Sequence, residues 1–68
     1  MTPEQLKSIW RTQPGKLTRA LHVTLVDFGY RDLQTETVQK SIERYYAGEK
    51  SAGVIDGFVH GWLQNGIN

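Results

Sequence analysis

The chain has no cysteine, two prolines, and no apolar run longer than three residues. Without cysteine there is no disulfide framework, no thiolate nucleophile and no cysteine-ligated zinc or iron–sulfur site. The apolar runs fall far short of the roughly 18–20 residues that a membrane span needs. The opening MTPEQLKSIW carries Glu4 and Lys7 and no apolar h-region, so it does not read as a secretory signal, and a cytoplasmic location is the expectation. No Gly-rich phosphate loop of the Walker or dinucleotide type is present. What remains is 68 residues, 38% hydrophobic and 22% charged, a composition suited to one small globular domain over residues 1–68. A chain this short buries only about 60% of its unfolded surface, so one core has to hold everything.

Net charge is +1, unevenly spread. Lys7, Arg11, Lys16 and Arg19 face only Glu4 in the first third, whereas the rest of the chain is faintly acidic. With Trp10 among them, these cations form a candidate patch for an anionic partner or nucleic acid, phosphates on the cations and a base on the indole.

The apolar spacing predicts an all-α bundle of four short helices, at about 3–13, 17–28, 35–47 and 52–65. Thr2-Pro3-Glu4 is a helix start: a capping hydroxyl, a proline where its missing N–H costs nothing, and an acid at the positive dipole end. Pro14-Gly15 reads as a turn that closes the first helix near Gln13. Residues 17–28 are ambiguous, because Val23, Thr24 and Val26 suit a strand, but an unbroken length of twelve favours helix. Thr35 or Asp32 is the expected cap of the third helix, Gly48 its left-handed stop, and Ser51 the cap of the fourth. Gly66 is expected to end the fourth helix in a Schellman turn, with Ile67 over Trp62. The predicted core comprises Leu6, Ile9, Trp10, Leu17, Leu21, Leu25, Phe28 and Leu33 from the first half. From the second it takes Val38, Ile42, Tyr45, Ile55, Phe58, Val59, Trp62 and Leu63.

Catalysis is not expected, and no cofactor or metal is implied. His22 and His60 lie on different elements with no nucleophile–base set around either. Asp56 and His60, four apart on one helix, read as a surface pair that lacks the third or fourth ligand a metal site needs.

Gly53, Gly57 and Gly61 recur every four residues down one flank of the fourth helix. Each interior glycine costs roughly 1 kcal/mol relative to alanine. Close helix packing within the domain is the preferred explanation, and self-association through the same flank is the other. The expected state is monomer or weak homodimer.

Asp27-Phe28-Gly29-Tyr30 lies between two helices and is followed by a third. This corner resembles the Met-Gly-Phe/Tyr loop of ubiquitin-associated domains, with Phe28 in place of the methionine, a longer loop before Val38 and an extra N-terminal helix. The resemblance implies a docking surface made of Phe28, Gly29, Tyr30 and part of the last helix; Tyr30, in a loop off the apolar stripes, is by its position the candidate exposed contact. Binding of another protein without catalysis is therefore the leading expectation. The alternative is nucleic acid, held by the basic first third or by a helix-turn-helix in which Thr35, Thr37, Gln39, Lys40 and Arg44 project from the third helix.

Overall fold

Thr2 caps the first helix as its sequence predicts. Its hydroxyl accepts from the Gln5 N–H at 3.2 Å, and the Gln5 side chain accepts from the Thr2 N–H at 2.8 Å, a reciprocal capping box. The computed structural model describes all 68 residues. Its four helices are α1 (Pro3–Thr12), α2 (Pro14–Asp27), α3 (Thr35–Tyr46) and α4 (Gly53–Asn65). There is no strand, and 72% of the chain is helical, so residues 17–28 resolve as helix and the chain is a small all-α bundle. No helix is long and apolar enough to cross a membrane.

Several local expectations need correction. Pro14-Gly15 is not a turn of its own. Gln13 alone links the first two helices, its N–H closing α1 on the Ile9 carbonyl at 2.6 Å and its carbonyl accepting from Lys16 at 3.0 Å. Helix α2 therefore starts at Pro14 rather than near residue 17, because proline is pre-set for the first helical position. Neither Thr35 nor Asp32 caps α3: Gln34 holds that place without a side-chain bond. Thr35 instead lies 3.4 Å from His22 Nδ1, while His22 Nε2–H donates to the Leu33 carbonyl at 2.7 Å and so ties the α2–α3 loop to α2. Ser51 does not cap α4. Ala52 precedes the helix, and its N–H donates to the Asp56 carboxylate at 3.1 Å. At the far end Gly66 donates to Trp62 at 2.8 Å with φ +91°, but Ile67 donates to the Met1 carbonyl at 2.9 Å, so the expected Schellman turn gives way to a link between the first and last residues.

Each helix packs on its sequence neighbour and α1 packs back on α4, closing a ring of 28 × 22 × 21 Å. Leu6, Leu17, Leu21, Leu25, Val38, Ile42, Val59 and Leu63 are buried at its centre. Ile9, Trp10, Leu33, Tyr45, Ile55 and Trp62 border that centre half-buried, as does Tyr30, so Tyr30 is not the freely exposed contact expected of it. Phe28 and Phe58 leave the predicted core altogether, at 61% and 38% exposure.

Candidate functional site: an aromatic face built on the last helix

The position of Phe28 follows from how α2 ends. Gly29 adopts φ +111°, its N–H donates to the Val26 carbonyl at 2.9 Å, and the Tyr30 N–H donates to the Leu25 carbonyl at 3.1 Å. This pair of bonds is a Schellman turn, and the left-handed residue it needs is cheap only for glycine. The turn folds Tyr30 back against the core and leaves Phe28, at the C-cap, facing outward.

Phe28 then lies against α4. Its ring stacks on Phe58 at 5.8 Å and on Trp62 at 6.0 Å between centroids. Phe58 and Trp62 are 5.7 Å apart, and Tyr30 meets Phe58 edge-on at 6.1 Å. The structure thus brings Phe28, Gly29 and Tyr30 together with part of the last helix. Val54, 62% exposed and one turn before Phe58 on α4, extends the apolar surface.

Why these rings face outward is decided by what α4 turns inward. Its buried residues are Asp56, Val59, His60 and Leu63. The Asp56 carboxylate accepts from the Ser41 hydroxyl and from Arg44 Nη2, each at 2.5 Å, as well as from the Ala52 N–H. His60 Nε2–H donates to the Ser41 carbonyl at 2.9 Å. Asp56 and His60 are therefore not a surface pair: they are separate members of a buried polar seam between α3 and α4. The Arg44 guanidinium, with help from Ser41 and Ala52, holds the Asp56 carboxyl down at about 2 against the lift that burial exerts. The same bond raises Arg44. With both ionisable residues of α4 directed inward, the helix offers solvent no charge. Sequence periodicity missed Val54 and Phe58 as surface residues. The available signal was the partner chemistry of Asp56 and His60, not hydropathy.

The glycine flank is likewise open. A Cβ placed on Gly53, Gly57 or Gly61 would meet nothing within 4 Å, so the preferred reading of close packing inside the domain is overturned. Gly53 has φ +91° and serves as the entry to α4, while Gly57 and Gly61 are helical and free of neighbours.

The basic residues are divided between separate hollows. Lys7 borders a hollow with Tyr45 and Tyr46, whereas Lys16 and Arg19 border another with Gln13 and Gly15. Arg11 is exposed in the last turn of α1. Trp10 is half-buried and stacks on Tyr46 at 6.0 Å. The Tyr46 hydroxyl is enclosed without a partner, and burial pushes its pKa up. On α3, Thr35 faces His22, Gln39 donates to Glu43 at 3.2 Å, and Arg44 is held by Asp56, which leaves Thr37 and Lys40 as the uncommitted members of the helix-turn-helix set. No three acidic or histidine side chains gather as a metal site would require.

No family model, curated protein or solved structure matches this chain, so the likeness to ubiquitin-associated domains stays confined to the Phe28–Tyr30 corner.

Proposed function

We propose that the protein works by docking another protein on this aromatic face, with no catalytic step of its own. The observation that carries the reading is the exposed stack of Phe28 on Phe58 and Trp62. Large aromatics in a contiguous patch are the usual anchors of protein interfaces, since they bury much area at little entropic cost. The charge-free surface of α4 suits an apolar partner segment such as the nonpolar side of an amphipathic helix. Gly57 and Gly61 add clearance for a partner backbone to come close. A phosphate backbone would find no cation on α4, and Arg44 of α3 is engaged by Asp56.

The test is site-specific photocrosslinking in extract of the native cell, with benzoylphenylalanine at position 28 or at exposed Lys40 as control. One protein captured at 28, absent at 40 and lost on Phe58→Asp supports the reading. Equal capture at both positions, or capture indifferent to Phe58→Asp, refutes it.

A further inference from the structure

A second feature lies away from the aromatic face. Between α1 and the start of α2 is a hollow of about 270 Å³. Its floor is Leu6, Leu17 and Leu21, its sides include Ile9, Ala20 and Ile67, and seven of its eight lining residues are apolar, none of them aromatic. The eighth is Lys16. Lys16 also lines the adjoining hollow, whose other walls are Gln13, Gly15 and Arg19, with no apolar side chain among them. The two hollows share the Lys16 side chain.

The charge there is of one sign. Neither hollow has a carboxylate in its lining, and the protein's ion pair lies elsewhere, between Arg44 and Asp56. The first turn of α2 holds no acidic residue, and the Gly15 N–H donates to no acceptor in the chain, so the positive end of the helix adds to Lys16 and Arg19. An aliphatic cleft beside a cationic one, with Lys16 bordering both, is complementary to a molecule that is itself divided in the same way. The apolar wall offers no ring to stack a base and no hydrogen bond to a sugar or peptide. Its volume is that of a small apolar ligand.

We infer that this paired hollow binds a medium-chain fatty-acid carboxylate, the alkyl chain lying along Leu6, Ile9 and Ala20 and the carboxylate between Lys16 and Arg19. The site is independent of the aromatic face.

Octanoate, below its micellar concentration, is the probe, with 1-octanol as the uncharged analogue, titrated into isotopically labelled full-length protein and followed by amide and methyl NMR. Saturable shifts are expected at Leu6, Ile9, Leu17 and Ala20. Lys16→Gln should weaken octanoate about fivefold, the loss of one charge-assisted contact, and leave octanol unchanged. Ala20→Phe, at an exposed position, should block both ligands with the spectrum otherwise retained. Lys7→Gln and Phe28→Ser should leave octanoate binding intact, which separates this site from the docking face. Absence of saturation, shifts centred on Phe28, Phe58 and Trp62, or equal octanoate affinity in wild type and Lys16→Gln would overturn the inference.

Discussion

Phe28, at the C-cap of α2, lies with its ring 6.0 Å from that of Trp62 on α4 and 23° from parallel, although the two residues are far apart in sequence. The contact fastens the Gly29 corner to the last helix while leaving Phe28 61% exposed. A residue held in place yet open to solvent is what the proposed docking face requires.

That distinction is measurable. Phe28→Ser should cost less than about 1 kcal/mol in urea unfolding, as substitutions outside the core do. Leu25→Ala, three residues earlier and fully buried, should cost about 3 kcal/mol. Equal losses would mean that Phe28 is a core residue after all.

The polar seam predicts how stability responds to acid. The Asp56 pKa falls from an ordinary 3.8 to about 2 on folding. Its contribution is therefore complete above pH 4 and is lost as pH falls from about 4 towards 2, where the unfolded chain takes up the proton first. The shift corresponds to about 2 kcal/mol. Asp56→Asn should lower stability at pH 7 by about 2–3 kcal/mol and flatten the change between pH 4 and pH 2.5. Urea titrations at the three pH values check both effects, and an undiminished acid response in the variant would assign it to another carboxylate.

Two glycines should respond to alanine with opposite signs. Gly57 is helical with open space where a Cβ would go, so Gly57→Ala should stabilise the protein by about 1 kcal/mol. At Gly66 the backbone has φ +91° and a Cβ would lie 2.6 Å from the Met1 carbonyl oxygen, so Gly66→Ala should destabilise it by about 1–3 kcal/mol. Thermal melting of both variants tests the pair, and a gain at Gly66 would show that the link between Met1 and Ile67 does not hold the ends in solution.

These residues also mark how much could be read without coordinates. Helix number and order were legible because local signals agree with the fold. Thr2-Pro3 starts α1, and Gly48, with φ +83°, stops α3 while Glu49 donates to the Arg44 carbonyl at 3.0 Å. The orientation of α4 was not legible. Its rotation depends on Asp56 finding Arg44 and Ser41, partners on another helix that no periodicity along α4 can reveal. Once Asp56 and His60 turn inward, Val54 and Phe58 must turn outward, and the outer aromatic face follows from that buried polar seam. The Phe28–Gly29–Tyr30 corner was recognisable from its glycine, but which ring stayed outside was settled by the Schellman geometry. Pro14 misled because Pro-Gly signals a turn and Pro at the first helical position signals a start, and here the second won.

The most direct measurement takes the protein crosslinked at position 28, purifies it, and compares its dissociation constants for wild type, Phe28→Ser and Arg19→Glu. Docking on the aromatic face predicts that Phe28→Ser weakens binding about tenfold or more, as loss of an interface anchor does, while Arg19→Glu stays close to wild type. The reverse order, with Arg19→Glu abolishing binding and Phe28→Ser leaving it intact, would contradict that assignment and move the contact to the basic first third of the chain.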